Sequence, residues 1–305
     1  MNISKHQQGI TQDLPPVAYY LFFNLKSDRF DLAQTIENLK RLADGLHCVV
    51  GFGQGLMHYA DSAIPYHPYT AEGKAKKLSS AANYDLALWL RSDDAGICFH
   101  QARQLVDILC VNFDCCHIIR GFTYLAKHDT SGEKDSHDLS GFIDGTENPK
   151  GDEIIDIAII DEKIKGLTGG SFWTLQQWQH KFDWLDGASN RQKEAAIGRS
   201  LDDNEELENA DQSAHIKRTE QERFDPEATI WRRSMDWADD SLNGGLMFSS
   251  FAASFYPFEI QLNAMVGNED GIIDGVFKFS QILHTSHFFC PPFVKGKLDL
   301  SLFNF

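Results

Sequence analysis

Long apolar runs are missing from this chain: no stretch approaches the ~20 consecutive apolar residues that a membrane-spanning helix needs. Positive charge is scarce too, with 28 Lys and Arg against 44 Asp and Glu and a formal net charge of -16. An excess of that sign repels nucleic-acid phosphates and anionic membrane surfaces, so neither is expected as a partner. Cysteine is sparse and unpatterned. Its six positions, Cys48, Cys98, Cys110, Cys115, Cys116 and Cys290, form no C-x-x-C pair and sit mostly among apolar neighbours. That argues against disulfides and a zinc site and for buried free thiols in a reducing compartment. The segment MNISKHQQGITQDLPP has a lysine but no apolar stretch after it, so no secretory leader is expected and the expected location is cytoplasmic.

What the chain does have is core-forming material, 42% hydrophobic over 305 residues, enough for two domains or one large one. Val17 to Leu25 reads as a strand, Asp31 as the cap of a helix with Leu32, Ile36, Leu39 and Ala43 on one face, and Cys48 to Phe52 as a second strand. Residues 53 to 83 read as loop. The alternating Leu86, Leu88 and Leu90 give a third strand, Cys98, Ala102, Leu105 and Leu109 a second helix, and His117 to Leu125 a fourth strand. The order β-α-β-β-α-β is the ferredoxin-like unit. The second half repeats it more loosely: strand Ser171 to Trp178, helix Asn190 to Gly198, a charged stretch Asp202 to Arg223, strands Thr229 to Met235 and Leu246 to Ser254, helix Glu259 to Met265, and strand His284 to Cys290. The expected class is α+β: two ferredoxin-like βαββαβ halves with antiparallel sheets, forming a barrel-like pair, residues 1–147 and 148–305. Thr130 to His137 reads as a polar loop insertion.

Near the midpoint lies Gly141-Phe142-Ile143-Asp144-Gly145-Thr146-Glu147-Asn148-Pro149. A short apolar run breaks into Asp-Gly turn chemistry, where Gly145 takes positive φ at no steric cost and Pro149 keeps Asn148 extended. One carboxylate, Asp144, is thereby carried on a constrained loop. His215 lies in a long polar stretch, where most histidines are simply solvated. On a regular strand Arg232 and Ser234 share one face and Arg233 the other, and periodicity does not choose between the arginines.

The nine-residue motif, with CVVGFG at 48–53, FHQARQL at 99–105, GGSFW at 169–173, IGRSLDDNEEL at 197–207 and the SAHIKR segment, resembles the bacterial dye-decolourising peroxidases of the short cytoplasmic subclass, over essentially the whole chain. The resemblance implies haem b in the C-terminal half, with His215 as iron ligand, Asp144 as distal acid–base group and Arg232 as distal arginine. It also implies Ser234, Gly145, Thr146 and Phe248 around the cofactor and Asp274 as partner of His215, with Lys278 where relatives carry a second acid. His137 stands where an arginine is often seen before the following Asp-Leu.

The implied substrates are hydrogen peroxide and small aromatic or dye-like electron donors, and the implied assembly is a homo-oligomer. Trp173, Trp178, Trp231, Trp237 and Tyr256 are either electron relays to the surface or ordinary packing, packing being the more common role. A haem-handling protein for storage, transfer or iron release is the alternative function. A ferredoxin-like oligomer without haem, in which Asp144 only shapes a turn, is a third.

Overall fold

A computed structural model of the chain describes residues 5–28, 30–128 and 134–305. Strands β1 (Val17–Leu25), β2 (Cys48–Phe52), β3 (Leu86–Ser92) and β4 (Phe113–Phe122) come from the first half. A small sheet of β5 (Tyr124–His128), β6 (Lys134–His137) and β7 (Ile143–Asp144) follows. Then come β8 (Ser171–His180), β9 (Trp231–Arg232), β10 (Met235–Ala238), β11 (Gly244–Ala252) and β12 (Ser280–Cys290). The main sheet has nine strands in the order β10-β4-β1-β3-β2-β12-β8-β11-β9. Because β10 also pairs with β11, the sheet closes into a barrel and leaves β9 as a spur. Each half contributes its strands in the same ferredoxin-like order, and the two meet edge to edge. The seams are short: Phe52 opposite Phe289 at one, Asp236 opposite Phe122 and Trp237 opposite Gly121 at the other. Closure removes the free edges of the barrel on which another chain could template a strand.

Side chains alternate across each strand, so every barrel strand has an inner and an outer set. Tyr20, Phe22, Val49, Ala87, Trp89, Trp173, Leu175, Met247, Phe251 and Phe288 form one packed cluster inside the barrel. Leu21, Phe23, Val50, Leu86, Leu88 and Leu90 point outward under helices Leu32–Leu42 and Ala95–Leu109. Asp31 and Asp94 cap those helices by accepting the Gln34 and Ile97 N–H groups at 3.1 and 2.8 Å. The helix 95–109 buries Cys98, Ala102, Leu105 and Leu109, the spacing legible in the sequence. Each fully buried large apolar side chain contributes roughly 1.5–3 kcal/mol. The outward face of the second half is covered differently. There Gln176, Trp178 and His180 of β8 and Leu246 and Phe248 of β11 look into a cavity where the first half has packed helices.

Several expectations need correction. The strand expected over Thr229–Met235 is broken, because Arg233 and Ser234 lie between β9 and β10 outside regular pairing. The span 53–83 holds two helical turns, Gln54–Met57 and Ala75–Leu78, and the helices Glu153–Ala158 and Phe182–Gly187 add to the expected set. Of the polar insertion expected over 130–137, residues 134–137 pair as β6 and 130–133 lie outside the described residues. All six cysteines are free, but only Cys48, Cys98 and Cys290 are buried; Cys110 and Cys115 are half-buried and Cys116 is exposed. Among the described residues no helix is long and apolar enough to cross a membrane.

Candidate active site

The midpoint motif forms a hairpin-like loop on the cavity wall. Asp138 opens it by accepting the Gly141 backbone N–H at 2.8 Å, and its side chain accepts that of Ser140 at 2.7 Å. Gly145 has φ of +94°, a conformation other residues rarely take, and it turns the chain directly after Asp144. Asp144 is half-buried on β7, and Asp144, Gly145 and Thr146 all line the cavity. Asn148 then does what no carboxylate could. Its amide Nδ2 donates to the Arg232 carbonyl at 3.1 Å while its Oδ1 accepts the Arg232 N–H at 3.0 Å. The motif therefore holds both Asp144 and the backbone of the cavity-lining Arg232. Arg232 Nε is buried without a partner among the described residues.

His215 opens a four-residue helix, His215–Arg218. The fully buried Arg218 anchors that turn, donating to both oxygens of Asp270 at 2.8 and 3.0 Å and to the Ala264 carbonyl at 3.1 and 2.7 Å. Close approach is permitted by Gly198, where an added Cβ would meet Ile216 at 2.6 Å. The Gly275 N–H donates to the Ser213 carbonyl at 2.6 Å, drawing Asp274 beside His215. His215 Nδ1 lies 2.8 Å from Asp274 Oδ2. Asp274 is itself fixed, since its Oδ1 accepts the Val276 N–H at 2.8 Å and its own N–H donates to the Met265 carbonyl at 2.8 Å. With Nδ1 engaged, Nε2 is the ring nitrogen left to ligate a metal. Lys278 does not pair with Asp274; its charge acts on Asp211 and helps hold that carboxyl low, behind the Ser213 hydrogen bonds.

His215, Asp144 and Arg232 line one cavity of about 520 Å³, within the range of small-molecule and cofactor sites. Its apolar wall comes from Phe248, Phe258, Leu262, Met265 and Val276. At its polar side, Arg199 bridges Glu147 and Glu206, both at 2.7 Å, and Lys217 adds a second cation. Flat apolar walls, one free imidazole nitrogen, an unpartnered buried guanidinium N–H and cations at the margin suit an anionic macrocycle with an iron centre. The donor set fits haem.

A second layer of acid lies behind the loop. His180 Nε2 lies 2.6 Å from Asp138 Oδ1 and its Nδ1 2.9 Å from Ser280 Oγ. Asp236 Oδ1 accepts the Leu139 N–H at 2.9 Å, and burial, followed by the carboxylates of Asp138 and Asp144, pushes Asp236 up to about 8. An unfolded aspartate ionises near ~3.9. Because the folded value is raised, Asp236 stabilises the fold fully below ~4 and loses that contribution as pH climbs through about 8. Asp236→Asn is therefore expected to melt at higher temperature than the wild type at pH 8 and to flatten the change between pH 5 and pH 8. Parallel melting curves at the two pH values would show that Asp236 stays ionised in the fold.

Not every expected residue meets the cavity. Ser234 does not line it; this buried hydroxyl accepts the Ser249 N–H at 3.5 Å, because the strand break turns it away from the face it would share with Arg232. Arg233 packs over the Trp231 ring at 4.2 Å and donates to the Gln12 carbonyl at 3.2 Å. Trp173, Trp231 and Trp237 are buried, and the half-buried Tyr256 donates to the Pro226 carbonyl at 3.1 Å. Trp178 is buried too, but one side of it lines the cavity. His137 bonds the Gly141 carbonyl at 3.1 Å, stiffening the loop. Asn148, Arg199, His180 and Asp236 escaped sequence reasoning. Only Asn148 left a signal, as an amide inside the motif with both a donor and an acceptor.

An antiparallel α+β barrel whose second half replaces helix packing by a pocket with histidine, aspartate and arginine defines a haem peroxidase class. The family model of the Dyp-type peroxidase, C-terminal, matches residues 135–295. A dye-decolorizing peroxidase from Brevibacterium linens is 28% identical over 256 residues, 81% of this chain and 67% of that protein. A putative dyp-type peroxidase from Shewanella oneidensis superposes with a TM-score of 0.78 at 28% identity, covering 95% of this chain and 97% of that one. A variant of DypB from Rhodococcus jostii RHA1, solved in complex with heme, shares the fold with a TM-score of 0.78 at 24% identity, covering 92% and 94%. The chain belongs to the Dyp-type peroxidase family, and it is a haem-dependent peroxidase.

Proposed function

We propose that His215 would ligate the iron of haem b, with Asp144 and Arg232 as the groups that act on hydrogen peroxide. The observation that carries this reading is the convergence of these three side chains on one cavity. When bound, the haem would supply the iron through which the two oxidising equivalents of hydrogen peroxide pass to one-electron donors, small aromatic or dye-like molecules. Asp144 takes the proton from one oxygen of hydrogen peroxide and returns it to the other, which leaves as water. The Arg232 guanidinium stabilises the negative charge that gathers on that leaving oxygen. Asn148 keeps Arg232 in register, and Asp274 fixes the ring of His215 and raises its basicity. Phe248 would pack against the cofactor, and Gly145 and Thr146 shape the loop on the cavity wall.

The halves 1–147 and 148–305 serve as two ferredoxin-like domains, the second holding the cofactor. A cytoplasmic location agrees with the free thiols. Association of identical chains is supported by the exposed apolar side chains Ile97, Phe99 and Val111 at helix 95–109 and just beyond it.

The test uses haem-loaded protein mixed rapidly with hydrogen peroxide. Asp144→Asn is expected to retain haem and slow the peroxide step by ~10²-fold, the lower end for loss of a general acid–base group. Wild-type kinetics in that variant would remove Asp144 from the reaction.

A further inference from the structure

Glu259 follows the cavity-lining Phe258 on helix Tyr256–Met265, and helical geometry turns it about 100° away from that neighbour. There it meets two histidines from distant parts of the chain. His67 comes from the segment between β2 and β3, and His287 from β12. One ligand atom from each of His67, Glu259 and His287 lies within 4.8 Å of the other two. None of the three lines the haem cavity.

His287 is the unusual member. It is 1% exposed, stacked face to face on Phe255 at 3.9 Å and edged by Tyr69 and Phe258 at 5.4 and 5.8 Å. Its Nε2 is buried with no partner among the described residues, and Nδ1 only approaches the His67 carbonyl at 3.4 Å. A buried imidazole so poorly satisfied costs free energy unless something else occupies its lone pair. His67 Nε2 and Glu259 Oε1 meet at 2.7 Å, with side chains 52% and 36% exposed.

We propose that His67, Glu259 and His287 form a metal site separate from the haem, taking a divalent transition cation of the zinc(II) type. Two imidazoles and one carboxylate match zinc's preferred donors and disfavour calcium and magnesium, which want oxygen. Bonds of ~2.0–2.2 Å require donors no more than roughly 4 Å apart. The needed closure is small, and the side chains of His67 and Glu259 can supply it around the fixed His287. The cation takes the place of the hydrogen-bond proton between His67 Nε2 and Glu259, which moves to His67 Nδ1 or to solvent. Ligation ties residue 67 to the helix whose Phe258, Leu262 and Met265 wall the haem cavity, so the site acts as a structural clip.

The experiment titrates Zn²⁺ into haem-loaded protein freed of loose metal by EDTA, read by calorimetry and by thermal melting. His67→Ala alters an exposed side chain and Glu259→Gln a half-buried one at constant size, so both variants are expected to fold. His47→Ala, at an exposed histidine paired with Asp44, is the control. Wild type and His47→Ala are expected to bind one equivalent per chain and to melt higher with Zn²⁺. His67→Ala and Glu259→Gln are each expected to bind at least ~10²-fold more weakly, exceeding the usual cost of losing an outer-shell partner. Absence of binding to the wild type overturns the site, and so does wild-type affinity in either variant.

Discussion

His215→Ala is expected to lose stable haem ligation: at least ~10²-fold faster transfer of the cofactor to an apo-globin acceptor, with the fold intact by circular dichroism. The cavity walls remain in this variant, so haem still partitions into it, but the bond proposed to fix the iron is gone. Asp274→Asn separates ligation from electron donation. An amide in place of the carboxylate 2.8 Å from Nδ1 keeps a hydrogen-bond acceptor but removes the charge that makes the imidazole a strong donor. Haem should stay bound while the Fe(III)/Fe(II) midpoint rises, by ~59 mV for each tenfold loss of preference for the oxidised state. Retention of tightly bound haem by His215→Ala would mean that another side chain holds the iron. An unmoved potential in Asp274→Asn would mean that the ring is oriented by something other than Asp274.

The difference between what could be read in the sequence and what could not follows the range of the interaction concerned. Spacing along one element was legible, because Cys98, Ala102, Leu105 and Leu109 must share a helix face whatever they pack against. The outward Leu86, Leu88 and Leu90 were legible for the same reason. The intervening Ala87 and Trp89 were not, since only barrel closure buries the second face. Positive φ at Gly145 followed from the Asp-Gly pair alone. Barrel closure itself rests on a few backbone pairs between β4 and β10 and between β2 and β12, for which no local pattern exists.

The site shows the same division. Asp144 was marked by its own turn, whereas His215 in its polar stretch carried no local mark and entered through family resemblance. What brings His215 to Asp274 is a backbone hydrogen bond from Gly275 to Ser213, invisible to periodicity. Ser234 was misplaced because alternation assumes an unbroken strand, and the chain leaves regular pairing at Arg233 and Ser234. Asp236 is raised by carboxylates 98 and 92 positions away in the chain, Asp138 and Asp144, together with its own burial.

Arg232→Leu is expected to lower the rate constant for the peroxide step by ~10²–10³-fold while haem occupancy is unchanged, by comparison with removal of one preorganised oxyanion donor. The Asn148 amide holds the backbone of Arg232, and the buried Nε has no partner among the described residues, so the side chain stands at the cavity with a donor left to act on peroxide. A preorganised charge needs no reorganisation as the O–O bond breaks. Leucine keeps the apolar stem and removes only the donor, which separates charge from packing. Arg233→Leu is the matched comparison. Its guanidinium sits over Trp231, turned to the Gln12 carbonyl, so that variant should lose some stability and little peroxide reactivity. Stopped-flow mixing of each haem-loaded variant with peroxide reads the rate, and thermal melting reads the fold. A larger kinetic loss in Arg233→Leu than in Arg232→Leu would place the reactive charge on the other arginine. Small equal losses would mean that the negative charge on the leaving oxygen is met by neither.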